Sequence, residues 1–196
     1  MTRDERDLLD RAFRFAAEAH AGKTRKGSNI PYVSHLLQVA GLVLEHGGSV
    51  EQAAAGLLHD TVEDCETVSI ESVRQEFGAP IAHIVETCTD TAPGEHPDQK
   101  GPWRQRKERY LQQLRAADAE SALVAACDKR HNLGTLVTDV RNEGRAYLKR
   151  FNAAADEQLW YYEQLFEVLR TRVPPKLSTD LERLIQDFRD LVGGER

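Results

Sequence analysis

Apolar residues recur at intervals of three and four positions along most of this chain, which is the spacing of one face of an α-helix. Leu36, Val39, Ala40 and Val43 are a clear example. Alternation typical of β-strands is nowhere sustained, so the sequence predicts an all-α fold, a single compact multi-helix domain. The predicted helices cover residues 2–22, 34–46, 49–60, 69–77, 80–85, 103–116, 119–136, 152–170 and 179–191.

Residues with strong preferences for helix ends support these bounds. Thr2 with Glu5, and Ser49 with Gln52, form the capping-box pattern, in which each side chain bonds the backbone N–H of the other residue. The 90–102 stretch is mostly polar and rich in proline and glycine, so it is predicted to be a surface loop. We expect one domain over residues 1–171, followed by a C-terminal helical extension, 172–196, that packs on the same domain.

Composition and charge exclude several classes of protein. The chain has 196 residues, 40% of them hydrophobic and 30% charged, which is enough apolar material for a core and unlike a disordered chain. No apolar run approaches the roughly 20 residues of a membrane-spanning helix, and no signal peptide is evident, so we expect a cytoplasmic protein without membrane contact. A net charge of −6 disfavours nucleic acid as a partner. The oligomeric state is not predicted.

A polar cluster interrupts a strongly apolar helix. His59 and Asp60 follow the small and apolar residues 53–58, and Glu63 and Asp64 come directly afterwards, with no Lys or Arg between Leu57 and Val73. A single buried His is usually satisfied by a neighbouring group, but three carboxylates crowded together repel one another unless a proton or a cation compensates them. The alternative for Glu63 and Asp64 is a solvated turn or a helix cap.

Two further residues offer matching ligand atoms. His35 opens the second predicted helix, and Asp128 interrupts another apolar stretch. Together with His59 and Asp60 they would supply two imidazole nitrogens and two carboxylates, a set suited to Mn, Fe or Zn. Spacing by itself leaves open whether these four side chains share one ion.

Several motifs carry a family resemblance, over roughly Leu8 to Leu165. They are Arg25-Lys26-Gly27, Ile30-Pro31-Tyr32-Val33-Ser34-His35, Leu57-Leu58-His59-Asp60-Thr61-Val62-Glu63-Asp64, Phe77-Gly78 and Asp128-Lys129-Arg130-His131-Asn132-Leu133. The order of the His and Asp residues resembles the HD-domain metal-dependent phosphohydrolases. Within them, the motifs resemble the hydrolase domain of RelA/SpoT-type alarmone enzymes, and the His59–Asp64 segment is the most specific part. Leu36, where that family usually has Pro, and Arg130, where an apolar residue is common, depart from the pattern.

The resemblance implies an Mn²⁺-dependent hydrolase that releases pyrophosphate from the 3′ position of guanosine 3′,5′-bis(diphosphate) and its pentaphosphate analogue, its small-molecule substrates. From the length of the chain we expect it to lack the family's synthetase domain. The implied metal ligands are His35, His59, Asp60 and Asp128. The implied catalytic pair is Glu63 and Asp64, and the implied substrate-binding residues are Arg25, Lys26, Tyr32, Ser34 and Asn132.

Other interpretations stay open at this point. The same chemistry could act on another phosphorylated nucleotide or dinucleotide, or the chain could be a nucleotide-binding module without catalysis, although Glu63 and Asp64 argue against the latter. The loop of Arg25 and Lys26 could be merely solvated, as could the basic run 104–109. The remaining histidines, His20, His46, His83, His96 and His131, are interpreted as surface or packing residues.

Overall fold

The computed structural model describes residues 1–90 and 101–193, and within these ranges the protein is built from α-helices joined by short turns. The predicted all-α fold is confirmed, since this part of the chain contains no strand beyond an isolated bridge between Thr24 and Pro31. The helices are α1 (Arg3–Ala19), α2 (Val33–Glu45), α3 (Val50–Leu58), α4 (Thr61–Asp64), α5 (Ile70–Phe77), α6 (Ala79–Cys88), α7 (Trp103–Ala116), α8 (Ala119–Glu143), a 3₁₀ helix (Arg145–Arg150), α9 (Ala155–Leu169) and α10 (Pro175–Gly193).

The helix ends are close to the predicted ones where a capping signal exists. The Thr2–Glu5 and Ser49–Gln52 capping boxes are both formed and begin α1 and α3. The prediction was wrong at the end of α8, which continues to Glu143, and it missed the 3₁₀ helix. It also began α10 four residues late, because Pro175 opens that helix and does not merely end the previous one. Of the predicted 90–102 loop, residues 91–100 lie outside the described residues.

Helix α3 lies at the centre of the core and is enclosed by α1, α2, α6 and α8. Every residue from Gln52 to Leu58 is buried, as the run of small and apolar residues predicts. Gly56 permits a close approach of α2, because a Cβ there would lie only 3.4 Å from the backbone of Ala40. This packing buries whatever follows α3, which is His59.

The loop between α1 and α2 is held by its own backbone. Arg25 N–H donates to the Ile30 carbonyl at 2.8 Å, and Tyr32 N–H donates to the Lys23 carbonyl at 2.9 Å. Gly27 has φ +78°, a left-handed conformation that favours glycine, and the Arg150 side chain lies against it. The loop therefore presents Arg25 and Lys26 from a defined turn.

Helix α10 packs on α8 and α9. The division at residue 171 stays a prediction. Among the helices of residues 1–90 and 101–193, none is both long and apolar enough to span a bilayer.

Candidate active site

Side chains from three segments converge on one buried point. His35 lies in the first turn of α2, His59 and Asp60 connect α3 to α4, and Asp128 lies in the middle of α8. His35 Nε2 is 3.2 Å from Asp128 Oδ1 and 3.4 Å from Asp60 Oδ2, and His59 Nε2 is 3.4 Å and 3.0 Å from the same two atoms. The two Nε2 atoms are 3.3 Å apart. These four side chains, which we call the His–Asp quartet, therefore share one centre.

The quartet has the charge and the donor atoms that a divalent cation requires. Burial disfavours the ionised carboxylates, but Lys129 and His59 outweigh it at Asp128 and keep its pKa well below the usual range. His59 and His35 do the same for the pKa of Asp60. Both carboxylates are therefore ionised. Burial acts to lower the pKa of His59, but Asp60 and Asp128 outweigh it and raise this pKa well above its usual value. The centre of the quartet therefore attracts positive charge. Two imidazole nitrogens and two carboxylate oxygens fit a divalent transition metal.

The orientation of His59 is fixed by the backbone. Its Nδ1 lies 2.9 Å from the carbonyl oxygen of Gly56, which only accepts hydrogen bonds. Nδ1 therefore carries a proton, and in the neutral ring Nε2 presents its lone pair to the centre of the quartet. His35, His59 and Asp128 offer ligand atoms within 4.8 Å of one another.

Three neighbouring side chains hold the carboxylates in place. Tyr32 donates its hydroxyl proton to Asp60 Oδ2 at 2.7 Å. Asn132 Nδ2 donates to Asp128 Oδ1, and Lys129 Nζ donates to Asp128 Oδ2, each at 2.6 Å. The carboxylates are thus oriented independently of any bound ion.

The Asn132 side chain also connects the quartet to the α1–α2 loop. Its Oδ1 accepts a hydrogen bond from Arg25 at 2.6 Å, and the Arg25 guanidinium lies over the ring of Tyr32. Arg25 is therefore held beside the quartet by residues that also touch its carboxylates. Lys26 lies further out, 3.4 Å from Asn152 Oδ1 and over the ring of Phe151.

Glu63 and Asp64 lie on α4, the single helical turn that begins directly after Asp60. The backbone N–H of Asp90 donates to Glu63 Oε2 at 3.3 Å, and Lys23 donates to the Asp64 carbonyl. Both acidic residues line the same cavity as Asp60 and Asp128. The structure thus places an acidic pair beside the quartet.

A cavity of about 760 Å³ opens onto the quartet. Its walls carry the residues that the sequence predicts to bind substrate, together with basic and aromatic side chains from α7, α8, α9, the 3₁₀ helix and the residue that follows it. The predicted residues on its walls are Arg25, Lys26, Tyr32, Ser34 and Asn132, and the additional ones include Trp103, Arg106, Lys107, Lys129, Tyr147, Phe151, Tyr161 and Tyr162. A volume of this size suits a small-molecule ligand.

Comparisons with known proteins agree with this geometry. A family profile described as HD domain matches residues 12–153, a range that contains the whole quartet. The chain belongs to the HD-domain family. The guanosine-3′,5′-bis(diphosphate) 3′-pyrophosphohydrolase MESH1 of Xenopus tropicalis is 36% identical to this HD domain over 132 residues, 66% of this chain and 69% of the relative.

Longer relatives match the same part of the chain. A probable guanosine-3′,5′-bis(diphosphate) 3′-pyrophosphohydrolase of Synechocystis is 36% identical over 135 residues, and a putative chloroplastic GTP diphosphokinase of Oryza sativa is 32% identical over 139 residues. This HD-domain chain spans only 17% and 16% of their lengths.

Solved structures support the fold. A crystal structure from Listeria monocytogenes has a TM-score of 0.67 at 28% identity and covers 78% of this chain and 96% of that one. A structure described as a metazoan ortholog of SpoT that hydrolyzes ppGpp has a TM-score of 0.72 and covers 91% of this chain and 94% of that one. At 22% identity the latter supports the HD-domain fold alone.

Sequence reasoning underrated several residues around the HD-domain cavity. Of the interpretations left open for the basic run 104–109, the solvated face does not hold for Arg106 and Lys107, since these side chains are 11% and 16% exposed and bind the buried carboxylate of Asp90. Arg104 does lie on the surface, over the ring of Trp160. The sequence of the basic run does not by itself indicate that the run contacts the buried carboxylate of Asp90.

The interpretation of His131 as a packing residue was incomplete. His131 is buried, and its Nδ1 lies 2.7 Å from Nδ1 of His35, so it touches the quartet. Burial, and then the neighbouring His35 and Arg25, lower the pKa of His131 to about 4. Of the other histidines set aside, His20 is buried and its ring stacks on that of Tyr32. His46 is buried at the far end of α2, His83 is exposed, and His96 lies outside the described residues.

Proposed function

We propose that this HD-domain protein hydrolyses guanosine 3′,5′-bis(diphosphate), and its pentaphosphate analogue, releasing pyrophosphate from the 3′ position. The observation that carries the proposal is the placement of the His–Asp quartet, the acidic pair and the basic α1–α2 loop around one cavity. The relatives from Xenopus tropicalis and Danio rerio, of which the chain covers 69% and 65%, are named for this reaction.

We propose that His35, His59, Asp60 and Asp128 hold a divalent cation, for which Mn²⁺ is the expected occupant. The same nitrogen and oxygen donors also suit Fe²⁺ and Zn²⁺. Such an ion lowers the pKa of a water molecule toward neutrality and so supplies a nucleophile at working pH. Tyr32, Asn132 and Lys129 keep the two carboxylates directed at the ion by their hydrogen bonds.

Glu63 and Asp64 are proposed to move the protons of the reaction. Water oxygen forms a bond to the phosphorus attached to O3′, the bond from that phosphorus to O3′ breaks, and O3′ must gain a proton as water loses one. One carboxylate accepts the water proton and a carboxyl group of the pair delivers a proton to O3′. The backbone N–H of Asp90 donates to Glu63 Oε2 and so helps to fix the position of this carboxylate on the cavity wall.

The basic side chains are proposed to bind the phosphate groups. Arg25 lies beside the quartet and can make two parallel hydrogen bonds to a diphosphate, while Lys26 lies further along the cavity as a point charge. Tyr32, Ser34 and Asn132 line the wall between them and the ion. The protein as a whole has a net negative charge, whereas this part of the cavity carries the positive charges of Arg25 and Lys26. A small patch of positive charge favours a small anionic ligand.

The test is product analysis with purified protein that has been stripped of metal and reloaded with Mn²⁺. We expect pyrophosphate and guanosine 5′-diphosphate from the tetraphosphate substrate. Glu63→Gln and Asp64→Asn should each lower turnover by about 10²–10⁴-fold while Mn²⁺ binding is retained. Glu66→Gln, an exposed acidic residue on the following turn, is the matched control and should be unaffected.

Release of no pyrophosphate by the Mn²⁺-loaded protein would refute the proposal. A panel containing nucleoside mono- and triphosphates and a dinucleotide with a ribose phosphate tests the alternative substrate. Faster turnover of one of those compounds would assign the HD chemistry to that nucleotide instead. A location in the cytoplasm stays a prediction.

A further inference from the structure

The two histidine ligands of the quartet are held in different ways on the side that faces away from the centre. His59 Nδ1 faces the carbonyl oxygen of Gly56, whereas His35 Nδ1 lies 2.7 Å from Nδ1 of His131. His131 comes from α8, 96 positions further along the chain, and its ring is tilted by 43° to that of His35. Both histidines are buried, since 0% of the surface of His35 and 8% of that of His131 is exposed.

A hydrogen bond between two Nδ1 atoms requires that only one of them carries the proton. His35 Nε2 lies within 3.4 Å of the two carboxylates and of His59 Nε2, so it is the nitrogen that faces the ion. A metal ligand must present a lone pair, and a neutral imidazole has one on a single nitrogen. His35 can therefore bind the ion only when its own proton is on Nδ1.

The partner of His35 differs from that of His59 in one chemical respect. A carbonyl oxygen only accepts a hydrogen bond, so Gly56 allows a single tautomer of His59. An imidazole nitrogen either donates or accepts, so the tautomer of His35 depends on which nitrogen of His131 carries a proton. If His131 donated from Nδ1, the proton of a neutral His35 would lie on Nε2 and point at the carboxylates, where the ion must sit.

We propose that His131 is a positioning residue that accepts the Nδ1 proton of His35 and carries its own proton on Nε2. This arrangement selects the tautomer of His35 that binds the metal and fixes the plane of its ring. The inference deepens the proposed function, because it rests on the metal role of the quartet, and it does not depend on which nucleotide is hydrolysed.

The surroundings of His131 agree with this role. The His131 side chain borders the large cavity and also a second groove of about 390 Å³, lined by Gln38, Arg130 and Thr135 among others. Its Nδ1 is the ring nitrogen that faces His35, so Nε2 is the nitrogen left to carry the proton of a neutral His131.

The test uses two substitutions of nearly equal shape. Gln at position 131 retains an oxygen that can accept from His35, whereas Met has the same length and lacks that oxygen. We expect H131M to weaken Mn²⁺ binding by about 10–100-fold in calorimetric titration of the metal-stripped protein, and H131Q to stay within a few-fold of the wild type. His46→Phe changes a buried histidine away from the quartet and is the control, with unchanged Mn²⁺ affinity expected.

A second measurement needs no substitution. In the wild-type protein loaded with Zn²⁺, which is diamagnetic, nitrogen-15 NMR should show His131 protonated on Nε2 and unprotonated on Nδ1. Protonation on Nδ1 would overturn the proposal, as would equal Mn²⁺ affinity of H131M and the wild type. Equal losses in H131Q and H131M would also overturn it, since they would assign the effect to packing. A wild-type protein that binds Mn²⁺ but leaves the alarmone intact would refute the proposed function and leave this inference standing.

Discussion

Asp90 is a buried carboxylate that connects α7 to Glu63 on the wall of the cavity. Its side chain is 4% exposed and accepts hydrogen bonds from Arg106, at 2.6 Å, and from Lys107. Its backbone carbonyl accepts from Arg109, and its N–H donates to Glu63. Asp90→Asn would remove the charge while keeping the shape, so it isolates the electrostatic contribution of this residue.

The size of that contribution follows from the pKa of Asp90. Burial acts to raise this pKa, but Lys107 and Arg106 outweigh burial and hold it at about 2, below the usual 3.8. The folded state therefore binds the proton less tightly than the unfolded state does. The resulting stabilisation is complete above the unfolded pKa and is lost as the pH falls through the folded pKa. A difference of this size corresponds to about 2 kcal/mol at pH 7 and to about 1 kcal/mol at pH 3.

Urea unfolding of the wild type and of D90N at several pH values between 7 and 3 measures this change. We expect D90N to be less stable at pH 7, and the difference between the two proteins to shrink by about 1 kcal/mol at pH 3. Lys107 contributes nothing to this slope, because an amine stays protonated in both states at acid pH. The D90N substitution also leaves the buried ammonium of Lys107 without a full partner. This lowers the free energy of unfolding by an amount that does not depend on pH.

Asp187→Asn is the matched control for this experiment. It removes one partner of the exposed pair with Arg141, so a loss under about 1 kcal/mol is expected. An unfolding difference between wild type and D90N that is the same at pH 3 and pH 7 would refute the reasoning, because it would show that Asp90 has an ordinary pKa in the folded protein.

Two further predictions concern packing and metal. Gly48→Ala should destabilise the protein by about 1–3 kcal/mol, because the added Cβ would lie 2.5 Å from Val43 Cγ1. Gly41→Ala should instead stabilise α2 by about 1 kcal/mol, because a Cβ there would meet nothing within 4 Å and alanine favours the helix. Equal effects in urea unfolding would contradict both values. Adding Mn²⁺ at about 100 times its Kd should raise the Tm by about 5–10 °C, and His59→Ala should abolish the rise. Scanning calorimetry with and without a chelator measures it, and no rise in the wild type would contradict the metal assignment.

The sequence was sufficient for features that depend on neighbouring residues. Helix periodicity and two capping boxes predicted most helices, since a cap is formed by residues three positions apart. The end of α8 was placed too early although the local signal was present, because the sequence after Leu136 has no stop signal until Gly144, where the helix ends. The residues of the quartet were candidates from the sequence, the resemblance implied that they hold one ion, and the structure brings them to one point.

Features that arise from the packing of distant helices could not be predicted. The contact of His131 with His35 depends on how α2 meets α8, and neither histidine has a neighbour in sequence that signals it. In the same way, Arg106 and Lys107 form an ordinary basic pattern until the fold places Asp90 beside them. Local sequence therefore specified the elements, while tertiary packing determined which polar groups meet.

The long separation between the quartet's residues along the chain has a consequence for how the protein acquires its ion. A chain in which only α1 to α7 had formed would present both imidazoles and the Asp60 carboxylate but would lack Asp128, Lys129 and Asn132, which all come from α8. Full affinity must therefore await the docking of α8. Tight uptake of the ion therefore reports that α8 has docked onto α2 and α3, and does not guide the first steps of folding.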